Sequence, residues 1–272
     1  VMCDFKVRRS ANYAFLAYCL DKSTFSNIRV EGGWDGIHIR GGHDLIIKGC
    51  RLHTGDDAIA GGYWKRMKIT HCVLNSSCNG IRMIMPSIDL EIADCDILGP
   101  GQFEHITSQR TRSENAINIE PGAWGKAPGH LDRIFIRRCS IRSVLSPLCV
   151  TIGDDNSCGK IVVEDMTARD VTRMALSVKS WGEAPTDKVI LRNCDLEFEG
   201  IDDPSLPTWF DDKPTSVWPV FPCWGMFFRN VRVVKVHNVT LRVKGGEYRK
   251  AYMCQNVDEE NLAKGASVVK AR

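Results

Sequence analysis

Nowhere in its 272 residues does this chain hold an uninterrupted apolar run approaching the roughly 20 that a membrane-spanning helix needs. It also lacks an excess of either charge: 36 Lys and Arg stand against 33 Asp and Glu, and the basic residues are scattered. Scattered charge gives no footprint for nucleic acid, and 43% apolar residues are too many for an intrinsically disordered chain. The twelve cysteines include no Cys-x-x-Cys pair and no finger-like Cys/His cluster, which argues against structural zinc. A phosphate loop, a dinucleotide fingerprint and a Gly-x-Ser-x-Gly elbow are missing, so neither cofactor nor metal is expected. The opening VMCDFKVRRS has neither an initiator Met nor an apolar leader, so a mature or trimmed chain is expected.

What the chain does have is a repeat. IIKGCRL (46–52), KITHCVL (68–74), EIADCDI (91–97), FIRRCSI (135–141) and ILRNCDL (190–196) share one pattern, with weaker copies at 25–30, 162–168 and 234–241. The shared column is Ile28, Cys50, Cys72, Cys95, Cys139, Met166, Cys194 and Val239, with gaps of 22, 22, 23, 44, 27, 28 and 45 residues. Each copy is short, alternates with period two and is rich in Ile and Val, so it reads as a strand. Strands recurring at this period without crossover helices predict an all-β solenoid, a right-handed parallel β-helix of about eight coils. The Cys and aliphatic column would then be an internal ladder of reduced, buried thiols. A β-sandwich would not hold one column in register, and a propeller blade needs about 40 residues per repeat. One domain over 1–272 is expected, with inserted loops near 99–131 and 200–222 carrying Trp124, Trp209 and Trp218. The stretch from Cys254 onward is poorly patterned and reads as a cap or a frayed tail.

A second strand follows each ladder segment: WDGIHI (34–39), DDAIAG (56–61), CNGIRM (78–83), ENAINI (114–119) and PLCVTI (147–152). Stacking them gives a column of Asp35, Asp57, Asn79, Asn115 and Leu148, with Asp56 beside Asp57, so three carboxylates meet on two neighbouring coils. His38, Arg82 and Asn118 would project from the same sheet face. Two readings stay open at this point. The Asp/Asn column is either a turn-stabilising ladder, which suits Asn79 and Asn115, or an acid/base cluster built on Asp35, Asp56 and Asp57.

The stretch 8–85, with WDG (34–36) and HTGDDAIA (53–60), resembles the polygalacturonase-type glycosidases, family 28 of the glycoside hydrolases, and the repeat extends the likeness to about residue 245. That family carries Asn-Thr-Asp followed about one coil later by Gly-Asp-Asp; here these stand as Gly33-Trp34-Asp35 and Gly55-Asp56-Asp57. The resemblance implies that Asp56 protonates the leaving glycosidic oxygen while Asp35 and Asp57 hold and deprotonate water. Asp35 and Asp57 share one column while Asp56 turns to the other side of the bend, which leaves room for water between acid and base. That arrangement predicts inversion, at a separation nearer roughly 6.5–9.5 Å than about 5–5.5 Å. The resemblance also implies a secreted or periplasmic location and a polysaccharide or oligosaccharide partner, pectic in class, with no nucleic acid and no membrane. The family's His-Gly is Asn79-Gly80 here and its Arg-Ile-Lys is Asn118-Ile119-Glu120, so plain polygalacturonate is expected to be a poor substrate. An echo of the second motif, Ser177-Val178-Lys179, falls about four coils beyond Asp57, too far for the same sugar subsite.

Around the acids, Arg82 either grips substrate or pairs with Asp57, His38 either orients Asp35 or binds sugar, and Asn79, Asn118 and Glu120 offer polar contacts. Trp34 and Trp64 are candidate sugar platforms, with Tyr63 and Trp124 beside them. Two rivals remain at this stage: a β-helix polysaccharide lyase, for which the cleft has too few basic residues, and a non-catalytic carbohydrate-binding β-helix.

Overall fold

Asn27, Gly49, His71, Asp94, Arg138, Asp165, Asn193 and Asn238 each precede a ladder residue, and all adopt φ between 49° and 62°. One residue in the left-handed region turns the chain sharply and sends the next side chain inward. Asn, Asp and Gly tolerate that conformation best, which is why they dominate the column. Arg138 fits it less well, and its guanidinium is held by Asp94 one coil earlier at 2.7 and 2.8 Å.

A computed structural model describes residues 1–214, 216, 219–257 and 260–271. Repeated corners wind the chain into a right-handed parallel β-helix with three sheet faces. The first face stacks Phe15–Asp21, the leading halves of Ile37–Lys48 and Ile59–Thr70, then Asn79–Met83, Asn115–Ile119, Ser146–Ile152, Leu176–Ser180, Cys223–Arg229 and Lys250–Gln255. The second runs from the trailing halves of those long strands through Ile88–Ala93, Gly129–Arg137 and Asn156–Glu164. The third carries Arg51–Thr54, Val73–Ser76, Asp96–Leu98 and Ser140–Arg142. Every pairing is parallel, and the first face has nine rungs among the described residues, against the eight coils expected.

The interior is built from columns rather than from a two-sided core. Ile37, Ile59, Ile81, Ile117 and Leu148 stack under the first face, and Ile47, Ile69, Ile92, Ile136 and Val163 under the second; all are buried. The expected ladder fills the corner between the second and third faces. Cys50, Cys72, Cys95, Cys139 and Cys194 are buried and unpaired. The Sγ atoms of Cys72 and Cys139 approach backbone carbonyls at 3.3 and 3.4 Å, as suits a thiol acting as a small apolar group with a weak donor. The first face opens on small residues because coils crowd there: a Cβ on Gly36 would meet the Ala58 carbonyl oxygen at 2.4 Å.

One expectation needs correction. The inserted stretch 99–131 is split by the first-face strand Asn115–Ile119, which leaves irregular loops over 99–114 and 120–128. Of the two readings of the end of the chain, the cap holds: the helix Glu260–Gly265 leads into Ala266–Ala271, which pairs with Val231–Lys244 and covers that end. Trp218 lies outside the described residues. No helix is long and apolar enough to cross a membrane among the described residues.

Candidate active site

The Asp/Asn column is a chain of hydrogen bonds. Asn115 Nδ2 donates to Asn79 Oδ1 at 2.9 Å, and the Asn79 amide and Nδ2 both donate to Asp57 Oδ1, at 3.1 and 2.7 Å. The Asp57 amide donates to Asp35 Oδ1 at 3.2 Å, and His38 Nδ1 donates to Asp35 Oδ2 at 2.6 Å. Arg40 Nε donates to His38 Nε2 at 3.1 Å. A guanidinium cannot accept, so this last bond fixes His38 as the neutral tautomer with its proton toward Asp35. Burial and Arg40 together lower the His38 pKa to about 4. The next member of the column is Ser146, paired with Asn115, and not Leu148, which pairs with Ile117 and points into the core. Pro147 takes the place of the small residue, and stacking PLCVTI by its apolar positions slipped the register.

Asp56 faces the other way. The Thr54 and Ser76 hydroxyls each donate to its backbone carbonyl at 2.7 Å, which turns the carboxyl outward into a cleft of about 450 Å³. Asp35 and Asp57 lie buried behind it, and one carboxylate oxygen from each of the three lies within 4.8 Å of the others. Burial, reinforced by Asp57 and Asp56, pushes the Asp35 carboxyl up to about 9. Burial also raises Asp57, to about 6, against the opposing pull of Arg82, and it raises Asp56.

The insertion over 99–114 brings His105 to this cluster, its Nε2 3.6 Å from Asp56 Oδ2. The Ser108 amide donates to His105 Nδ1 at 3.3 Å, so in the neutral ring Nε2 carries the proton and aims it at Asp56. Asn75 anchors the loop through Pro100 O at 2.8 Å and the Gln102 amide at 2.7 Å. Gly55 makes room for it: a Cβ there would lie 2.5 Å from Glu104 O and 2.6 Å from Gly33 O. His105 and Arg110 lie in a loop without periodicity, whereas Cys78 and Glu114 each stand one place before a column asparagine and were passed over there. A histidine and an arginine in an insertion adjoining the acid coils were the only signal.

The remaining candidates divide. Arg82, Asn118, Glu120 and Trp34 line the cleft with Asp56, as does Trp124. Arg82 lies 3.9 Å from Asp57 and 5.7 Å from the Trp124 ring, so it pairs with the acid and also faces the cleft. Three proposed sugar contacts are corrected. Asn79 is fully buried, with its side chain spent on Asp57 and Asn115. His38 is buried against Asp35. Trp64 is 1% exposed and donates its indole N–H to Ile39 O at 2.8 Å, because the uninterrupted strand Ile59–Thr70 turns it into the core. Basic residues are also more plentiful than expected: Arg82, Arg110, Lys179 and Lys213 all line the cleft.

Two ligand sets lie close enough to share a cation, Asp56–Cys78–His105 and Asp35–Asp56–Asp57. Guanidinium groups already supply positive charge there, with Arg110 Nη2 3.5 Å from Cys78 Sγ and Arg82 beside Asp57, so the donor set is a poor fit for a resident metal. The arrangement suits proton transfer instead. Crowded, half-dry carboxyls hold a proton near neutral pH, and one of them reaches an open groove.

No protein-family profile and no curated protein matches this chain. Among solved structures, the family 28 exopolygalacturonase of Yersinia enterocolitica is similar to it at a TM-score of 0.46 and 12% identity, covering 90% of this chain. The chain spans 46% of that protein's length. A likeness at this level assigns neither a family nor a site.

Proposed function

We propose that this chain hydrolyses glycosidic bonds in a pectic polysaccharide, with Asp56 as the general acid. The observation that carries this reading is the carboxyl trio within 4.8 Å, of which only Asp56 lines the cleft. Acetal cleavage needs a protonated carboxyl at the leaving oxygen and an ionised one nearby. Asp57, ionised above about pH 6 and held by Asn79, is the neighbour suited to polarise water. Asp35, fixed by His38, acts through Asp57 and is a positioning residue. Trp34 and Trp124 flank the groove as platforms for sugar faces. The Gly55-Asp56-Asp57 resemblance to polygalacturonase-type glycosidases supports the same reading.

A second reading, a polysaccharide lyase, is favoured by Arg82 and Lys179 lining the cleft with the acids. The two differ in product. Hydrolysis releases reducing ends without ultraviolet absorbance, whereas elimination leaves an absorbing unsaturated sugar. A panel of pectic and non-pectic polysaccharides assayed for both is expected to give reducing ends alone, with unsubstituted polygalacturonate poorly cleaved. Absorbance rising in step with reducing ends would favour the lyase, and no release from any polymer would reject both.

A further inference from the structure

Lys179 is 6% exposed, yet its ammonium has no acidic partner among the described residues. Nζ lies 3.1 Å from Cys149 Sγ and 3.3 Å from Ser177 Oγ, with the Phe221 ring 5.4 Å away. A thiol and a hydroxyl are weak acceptors, and they leave at least one of the three N–H groups without one. Burying an ammonium without a counter-charge is costly, and the arrangement is relieved when a ligand supplies the anion.

Two neighbouring groups share this condition. Asn118, 7% exposed, has an Oδ1 with no partner, and it pairs in register with Cys149, which the ammonium touches. Trp181, two residues beyond Lys179, has a buried indole N–H with no partner. All four residues line the same cleft as Asp56. Nearer the acids the cations are engaged, since Arg82 lies beside Asp57 and Arg110 pairs with Glu114 at 2.6 Å. Lys179 leans back one rung to Cys149, which places its charge three rungs from Asp57, about 14 Å at the spacing between β-strands.

We propose that Lys179, with Asn118 and Trp181, forms a subsite for the carboxylate of an acidic sugar lying several units from the cleaved bond. The ammonium and the indole N–H meet the carboxylate, and Asn118 Oδ1 accepts from a ring hydroxyl. The polymer is then recognised by a charge at a fixed distance from the bond that breaks. This rests on the polysaccharide reading above but not on turnover, so binding tests it separately.

The test is calorimetric titration of pectic oligosaccharides, and of the same oligosaccharides after carboxyl reduction, into the Asp56→Asn protein. Adding Lys179→Met is expected to weaken binding of the acidic form about tenfold or more and to leave the reduced form unchanged, with Lys179→Arg retaining most of the affinity. Without any change at Lys179, added salt should weaken only the acidic form. Equal losses for both forms, no loss for the acidic form, or salt-independent binding would overturn the proposal. Charge-selective binding together with absent hydrolysis by the unmodified chain would keep the subsite and reject the enzyme.

Discussion

His105 Nε2 stands 3.6 Å from Asp56 Oδ2, and the two residues meet only because an inserted loop folds back over Gly55. The Ser108 amide on Nδ1 keeps the ring neutral and the Nε2 proton aimed at the acid, in line with the lowered His105 pKa, whose main cause is burial. His105→Ala should therefore lower kcat measurably, though by less than the roughly 10²–10⁴-fold that the proton donor it positions contributes. The melting temperature should barely change, since Asn75 anchors the loop elsewhere. Unaltered kcat would remove His105 from the reaction.

The acid cluster should cost stability as pH rises. Asp57 titrates near 3.8 in the unfolded chain and at about 6 in the folded one, so between those values the native state holds the extra proton. Unfolding is then favoured increasingly as pH climbs through that window, and Asp35, at about 9, extends the loss upward. Asp57→Asn should melt higher than the parent at pH 8, by a margin that vanishes near pH 4. A melting curve against pH for both proteins checks this; an equal offset at both values would contradict it.

The two tryptophans should separate. Trp124 is 72% exposed and lines the cleft, so Trp124→Ala should raise KM several-fold with little change in melting. Trp64 is core, and Trp64→Ala should cost about 3–5 kcal/mol of stability. Steady-state kinetics and denaturant melts of the pair decide between these roles.

The repeat was legible because one physical constraint acts on every coil: a left-handed corner followed by an inward side chain. That constraint leaves Cys50, Cys72 and Cys95 at matching places in the sequence. Gly55-Asp56-Asp57 was legible because it matches the motif of the family it resembles and because stacking the repeats puts three acids on two neighbouring coils. The direction of Trp64 was not legible, because a strand continuing through a corner hides which side a residue faces. Nor was Ser146, whose hydroxyl occupies an asparagine's place beside a proline. The loop over 99–114 follows no period, so His105 had no column to betray it.

The thiol ladder makes its own prediction. Cys50, Cys72, Cys95, Cys139 and Cys194 should resist a thiol reagent in the native protein and react after denaturation, while exposed Cys3 and Cys19 react at once. Cys72→Ser should cost about 1–3 kcal/mol by placing a hydroxyl in the apolar stack. Rapid native labelling at Cys72 would contradict this packing.

Asp56 is the one carboxyl of the trio that lines the cleft, and the central claim stands on it. The direct measurement is reducing-sugar release by the parent protein and by Asp56→Asn, on whichever pectic polymer the parent cleaves best. The account predicts that Asp56→Asn retains the parent's fold and oligosaccharide affinity while its kcat falls by about 10²–10⁴-fold, the contribution of a general acid. Hydrolysis by Asp56→Asn at the parent's rate would contradict it.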